Sequence, residues 1–420
     1  MRILIISPYY WPETFAAGTY LCELAEFLVS QGHEVTVQTA FPHYPEGVVW
    51  PQYRWKFGLN EIKNGVSLRR SFILAIPRKH LIILRSLTSF TFALSSFFSS
   101  LFNGKQDIIY TLFPILPIGF MSILLGKIKR CPVILGVKDL LTEGLIQTGK
   151  LQNKHLKGLI AFFEYRLYIS ADHIQVPTSN QQRYLNDWGL PIRKVTLIPD
   201  WADSNAILPM PKENDFRKEY GLEGKFVLVY SGNMGYSSEL ETVLYSANLL
   251  RSIPDIFFLL IGDGPKREGL ERFAIETGLT NVKFLPFQDR KNFFEVLAAA
   301  DFGLITLNRK CTIAGSQGKM YSIMASARPL LAIMEKEAWG AEWIDKYRIG
   351  SRVDPGDAEG LARTILTWKV KPDELIAAGN RGRHLLEEKY NIKVCGTLFV
   401  DLFNDVSKSK ASSPNTNRKN

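Results

Sequence analysis

Two distant stretches of the chain open on the same alternation of apolar and polar positions. Arg2–Ser7 is a short apolar run followed by a loop, Ser7-Pro-Tyr-Tyr-Trp-Pro-Glu-Thr-Phe-Ala-Ala-Gly18-Thr19. Leu21, Leu24, Ala25 and Leu28 then recur at helical spacing, which predicts a helix closed by Gly32, and Glu34–Ala40 reads as the next strand. Further on, Lys225–Tyr230 reads as a strand, Ser231-Gly-Asn-Met-Gly235 as a glycine loop and Leu240–Leu250 as a helix. Ile256–Ile261 is again strand-like and ends in Gly262-Asp-Gly-Pro265. Repeated strand–helix units predict parallel sheets with helices on both faces. Ligands in such sheets bind beyond the carboxyl ends of the strands, where these loops lie.

The alternation breaks near residues 200–224, where Pro209 and Pro211 interrupt a polar stretch. The expected fold is therefore α/β, with two doubly wound, Rossmann-like domains facing across a cleft. Residues 1–205 form the first and 206–384 the second. A helix over 385–406 crosses back to the first domain, and the polar tail 407–420 is expected to be disordered.

Ser86–Phe102 stands apart, with no charge and five phenylalanines in 17 residues. Phe90, Ala93, Leu94, Phe97 and Leu101 recur at helical spacing while Ser95, Ser96, Ser99 and Ser100 fall largely elsewhere. That pattern predicts an amphipathic helix packed on a sheet, with a short membrane span and an interfacial helix as the other open readings. The preceding basic run Arg69, Arg70, Arg78, Lys79, His80 and Arg85 suits an anionic leaflet or a solvated face.

Charge sharpens the difference between the halves. Residues 1–200 carry 21 Lys and Arg against 13 Asp and Glu, whereas residues 201–420 carry 30 against 28. A basic first half points to an anionic partner, membrane or nucleic acid. With neither zinc-finger spacing nor an RNP-type motif, nucleic acid gains no support. Cys22, Cys131, Cys311 and Cys395 lie far apart, which disfavours a disulfide framework or a zinc site and fits a reducing cytosol. The N-terminus runs directly into a strand rather than a charged leader, so no signal peptide is expected.

The candidate chemistry lies in the loops. Gly18 before a helix lets backbone N–H groups face an anion, and Gly232-Asn-Met-Gly235 repeats the arrangement. Either glycine cluster can also be no more than a turn, as can Gly262–Pro265. Val282–Phe287 is a strand leading to a loop whose backbone can hold a base. After a strand that runs to Arg309 and Lys310 comes Gly315-Ser-Gln-Gly-Lys319 at a helix start, a combination able to hold a diphosphate. It lacks the spacer and the hydroxyl residue of a Walker A loop, which disfavours a P-loop NTPase.

Taken in order, these stretches resemble the GT-B glycosyltransferases of family 4, in particular the branch that builds exopolysaccharides and O-antigens of the colanic-acid type. Pro8-Tyr-Tyr-Trp-Pro-Glu13 through Gly18, Phe41-Pro-His-Tyr-Pro-Glu46 and Lys138-Asp139-Leu-Leu-Thr-Glu143 carry the likeness in the first half. Ile198-Pro-Asp-Trp-Ala-Asp203, Tyr230–Gly235, Ile261–Pro265, Lys319-Met-Tyr-Ser-Ile-Met-Ala325 and Asp354-Pro-Gly-Asp357 continue it to about residue 405. The resemblance implies that the second domain binds a UDP- or GDP-sugar and the first an acceptor. It also implies transfer with retention and without a metal or other cofactor. By motif position Gly18 would lie near the donor phosphates or the acceptor. Gly232, Asn233 and Gly235 would face the diphosphate, Pro286 and Phe287 the base, and Ser316, Lys319 and Ser322 the diphosphate and ribose. The implied acceptor is a saccharide on polyprenyl diphosphate, and the implied location is cytoplasmic and peripheral to the inner membrane.

Departures from the family pattern mark where the site is unusual. Relatives often carry Arg and Lys where this chain has Asn233 and Ser238, and two glutamates near Ala314 and at Ser322. Arg309, Lys310 and Lys319 are the expected substitutes for the missing positive charge. A first-domain catalytic histidine has no counterpart in Tyr110-Thr-Leu-Phe-Pro-Ile, which leaves Asp139 and Glu143 as the favoured acids near the acceptor. Asp139 as a helix cap is the competing reading, and His43 is either a cleft residue or a loop filler. A nucleotide-sugar epimerase or hydrolase, and a non-catalytic nucleotide-sugar-binding scaffold, remain rival functions at this point.

Overall fold

The computed structural model describes residues 1–420 apart from 14–15, 45, 78–81, 113–114, 148–152, 314–315 and 413–420. Two compact units emerge: Met1–Thr142 with Gln152–Ile198 and Ile392–Asn420, and Glu143–Leu151 with Pro199–Asn391.

The first part of the chain runs β1 (Arg2–Ile6), α1 (Ala16–Ser30), β2 (Glu34–Ala40), the hairpin β3 (Gly58–Lys63) and β4 (Val66–Ser71), and α2 (Ile82–Leu101). It continues through β5 (Ile108–Leu112), α3 (Leu116–Lys129), β6 (Val133–Gly136), α4 (Leu141–Gln147), α5 (Lys154–Ser170), β7 (His173–Val176), α6 (Ser179–Asp187) and β8 (Val195–Leu197). The strands form one sheet in the order β3-β4-β2-β1-β5-β6-β7-β8, parallel except where β3 pairs with β4. Central strands β1 and β5 are buried almost throughout and read as unbroken apolar runs, because helices cover both faces. α2 packs on α3 and α3 on α5, whereas α1 packs on the C-terminal helix, so the right-handed crossover rule sets α2, α3 and α5 on the face opposite α1.

The second unit holds α7 (Asp215–Tyr220), β9 (Phe226–Ser231), α8 (Leu240–Leu249), β10 (Ile256–Ile261), α9 (Arg267–Glu276), β11 (Val282–Leu285) and α10 (Arg290–Ala299). Then come β12 (Phe302–Thr306), α11 (Gly318–Ala325), β13 (Leu330–Ile333), α12 (Trp339–Tyr347), β14 (Gly350–Val353), α13 (Ala358–Lys369) and α14 (Pro372–Lys389). Its six parallel strands run β11-β10-β9-β12-β13-β14. The order reverses between β9 and β12, which creates a crevice at their carboxyl ends. Arg217 on α7 is fully buried and ties that helix to the sheet, donating to Asp301 Oδ2 (2.8 Å) and to the Ala299 carbonyl (2.9 Å).

Three elements differ from the sequence expectation. α15 (Ile392–Ser412) starts after a break at residues 390–391 and belongs to the first unit, where Phe399 and Phe403 pack against Tyr110 with ring centroids at 5.6 Å. It stays helical through residues 407–412, part of the tail expected to be disordered. Once packed aromatics hold a helix, each further turn costs little, and Lys410 pins this one to Asp172 at 3.0 Å.

The second difference is the orientation of α2. The helix packs on the sheet with Phe92 and Ala93 buried, as its amphipathic pattern predicts, but Ser96 and Ser100 are buried beside them and the Ser99 hydroxyl donates to Gln38 on β2 at 3.2 Å. Phe90 and Leu94, expected to pack inward, are exposed instead. A buried amide on β2 needs hydrogen-bond partners, and that need outweighs burying two apolar side chains. Among the described residues no helix is long and apolar enough to cross a membrane. The third difference is Arg70, counted above among the surface charges but buried in an ion pair with Glu61. Arg78, Lys79 and His80 lie outside the described residues, as does the Arg85 side chain.

Candidate active site

In the second unit two glycine loops lock together beyond β9 and β10. The Gly232 N–H donates to the Ile261 carbonyl (2.9 Å), Met234 to Asp263 (2.8 Å) and Lys266 to Met234 (3.0 Å). Gly262 has φ +140°, and a Cβ there would lie 1.9 Å from the Gly232 carbonyl oxygen. Only glycine permits that approach. The second loop is thus the template against which the first is shaped.

From across the crevice, α11 delivers Lys319. Its ammonium stands 4.1 Å from the centre of the Tyr230 ring, and a Cβ on Gly232 would come within 2.8 Å of it. The Tyr230 hydroxyl in turn donates to the Asn233 carbonyl at 2.7 Å, fixing the loop. α11 has no side-chain cap and no acid in its first turn, so the positive end of the helix is not neutralised locally. One turn on, Ser322 lines a small cavity with Ser231, Lys319 and Arg328. A glycine loop, an ammonium and a bare helix start together can hold a diphosphate and accept the charge that grows on it.

In the first unit the loops after β1 and β2 are joined through a buried carboxylate. Glu13 Oε1 accepts from the backbone N–H groups of His43 and Tyr44, both at 2.7 Å, and lies 3.5 Å from His43 Nδ1. Burial raises the Glu13 pKa, against the opposing pull of His43 and the backbone donors. His43 stacks on Tyr9 with centroids at 5.4 Å. Gly18 lies in the first turn of α1, which begins at Ala16 rather than after the Gly18-Thr19 pair, and a Cβ there would be 3.3 Å from the Glu13 carbonyl oxygen. Beyond β6, Asp139 is exposed, while Glu143 in the first turn of α4 is half-buried and falls with the second unit.

Comparison with known proteins decides the family. Residues 15–201 match the glycosyl transferase 4-like domain, and residues 225–368 match glycosyl transferases group 1. This chain belongs to the family 4 glycosyltransferases. It is 28% identical over 399 residues to the Escherichia coli K12 protein named "putative colanic acid biosynthesis glycosyl transferase WcaI", covering 93% of this chain and 97% of that protein. Among solved structures, sucrose-phosphate synthase of Thermosynechococcus elongatus superposes with a TM-score of 0.75 at 18% identity, covering 97% and 99% of the two chains. HepE of Anabaena, solved with UDP-glucose, gives 0.71 at 15% identity over 96% and 100%. These superpositions establish the GT-B fold for the transferase.

Within the transferase, Gly232 and Lys319 meet directly, while the Asn233 amide folds over Gly235, where a Cβ would lie 2.6 Å from its nitrogen. Pro286 and Phe287 are exposed at the end of β11, on the edge of the sheet. Ser316 is half-buried, its hydroxyl 3.5 Å from that of Tyr321, and Gly315 lies outside the described residues. Arg309 is engaged with Glu335 (3.2 Å) and the Pro355 carbonyl (2.9 Å), and Lys310 beside it is exposed. Of the three cations expected to replace the missing charge, Lys319 is the one the fold sets against the first glycine loop.

Two residues escaped the sequence reading. Lys266, directly after Gly262-Asp-Gly-Pro265, reaches the Ser238 carbonyl at 3.0 Å and Glu241 at 2.7 Å. It brings a cation to Ser238, the position at which the family pattern described above has a lysine; a basic residue after that glycine turn was the available signal. The other is Glu164, fully buried on α5, which accepts from the N–H groups of Leu141 (2.7 Å) and Thr142 (2.9 Å). It caps the helix for which Asp139 was the alternative cap, and no local sequence pattern announces a cap from so far along the chain.

Proposed function

We propose that the transferase moves a sugar, with retention of configuration, from a UDP- or GDP-sugar to a saccharide acceptor carried on polyprenyl diphosphate. The product would enter a cell-surface polysaccharide, and the reaction would run on the cytoplasmic side of the inner membrane without a metal. One observation carries this reading: the Lys319 ammonium set against Gly232 at an uncapped helix start. As the bond between sugar and diphosphate breaks, charge grows on the leaving oxygen, and these groups stabilise it. The same oxygen takes the proton of the acceptor hydroxyl, which attacks from the side the leaving group vacates, so configuration is kept. Asp139 and Glu143 hold acceptor hydroxyls, Gly18 borders the donor phosphates or the acceptor, and Pro286 and Phe287 contact the base. The UDP-glucose complex of HepE and the colanic-acid naming of WcaI support the donor class and the pathway class.

The test is to incubate the purified chain with each donor and a polyprenyl-diphosphate disaccharide, follow nucleoside diphosphate release, and read the new linkage by NMR. An axial donor linkage conserved in the product, with turnover unchanged in EDTA, is the expected result. An inverted linkage, or sugar epimerised without transfer, would overturn the reading.

A further inference from the structure

The face of the first unit carrying α2, α3 and α5 is built to lie on something apolar and negatively charged. On α2 the exposed positions Leu87, Phe90, Leu94 and Phe98 form one stripe at helical spacing, and Phe102 extends it at 87% exposure. α3, packed beside α2, adds Leu124 and Ile128. α5 adds Leu156, Leu159, Phe162 and Phe163. The patch continues past α2 through Phe72, whose carbonyl accepts from Ser95 at 2.5 Å and whose ring stacks on exposed Phe57 at 6.0 Å.

The charge on this face has one sign. α3 carries Lys127 and Lys129 and α5 carries Lys154, Lys157 and Arg166, while the only acid in the three helices is Glu164, buried beneath them. Asp107 and Asp172, in the loops leading from α2 to β5 and from α5 to β7, are paired with Arg2 (3.5 Å) and Lys410 (3.0 Å). Exposed apolar side chains gathered on neighbouring helices mark an interaction site.

We infer that this face is the surface on which the transferase rests on an anionic lipid bilayer, the aromatic stripe entering the headgroup region and the lysines meeting lipid phosphates. A second copy of the chain fits poorly, since a two-fold pairing would set lysines against lysines with no exposed acid on the helices to answer them. With Ser96, Ser99 and Ser100 turned toward the sheet, Phe90 and Phe98 are left exposed while Phe92 stays buried.

This inference rests on the proposed membrane location but not on the donor chemistry. The full-length chain is sedimented with vesicles of phosphatidylcholine alone and of phosphatidylcholine with phosphatidylglycerol, and nucleotide binding is measured separately. The wild type should bind the anionic vesicles and lose affinity as salt rises. Phe90→Ser with Phe98→Ser and Phe162→Ser should cut vesicle binding at least about tenfold, with melting temperature and nucleotide affinity unchanged. Lys127→Glu with Lys157→Glu should weaken binding by about fivefold or more per site and flatten its dependence on anionic lipid. If the wild type ignores all vesicles, the membrane location itself fails. Binding that survives in the triple variant would overturn the assignment of the face, as would concentration-dependent self-association that the variant abolishes.

Discussion

The two units share an architecture and spend their side chains differently. In the second, loops beyond the strand ends are packed backbone to backbone, Gly262 on Gly232, and a single lysine is brought against them. In the first, a buried carboxylate, Glu13, joins two loops, while the outer faces of three helices stay apolar and basic. Sheets of largely parallel strands covered by helices serve both units, so the sheet does not decide the task. The loops at the strand ends and the outward helix faces do, and they assign chemistry to the second unit and attachment to the first.

Substitutions can break that division at different points. The largest expected effect is on the folding of the second unit: Arg217→Ala leaves Asp301 buried with one partner fewer and should cost about 3–5 kcal/mol in chemical denaturation. Lys212 also reaches Asp301 (2.8 Å) and holds the estimate toward the lower end. Next is Lys319→Ala, which should lower turnover by a factor of about 10²–10³ while leaving the melting curve in place, since the side chain serves the ligand and not the core. An equal loss of stability would make Lys319 structural and erase the contrast.

The first unit should respond to acid. Burial, reinforced by Lys194, lowers the pKa of His173 to about 4. In the unfolded chain the group titrates near 6.5, so between the two values the unfolded state holds more protons and stability falls as the pH falls. With allowance for partial exposure, about 2 kcal/mol should be lost from pH 7 to pH 4, and His173→Gln should remove that slope. The smallest effect is expected on the outer face: Phe90→Ser and Phe98→Ser should each shift stability by no more than about 0.5 kcal/mol, because neither side chain is in the core. A larger loss would mean that the stripe is packed rather than displayed.

How much of this was legible depends on how local each signal is. β1, β9 and β10 announce themselves as apolar runs, and glycines followed by helical periodicity mark the loops after them. The inward serines of α2 were not legible, because their partner Gln38 sits on another strand and periodicity cannot tell which face of a helix meets a sheet. The same holds for Glu164 and the α4 N–H groups, and for Lys266 at Ser238. Each is a contact between distant segments made by one side chain, and spacing along the chain carries no trace of it. Lys319 was visible as a lysine at a helix start; its approach to Gly232 needed the fold.

The claim on which the account turns is that the second unit holds the nucleotide through Lys319. Thermal unfolding of the wild type and of Lys319→Ala against graded UDP, GDP and ADP tests it directly. The account predicts that UDP or GDP raises the melting temperature of the wild type saturably, equivalent to about 2.7 kcal/mol at a hundred times the dissociation constant, and that the variant shows little of that gain. No shift with any nucleotide, or a full shift in Lys319→Ala, would contradict it.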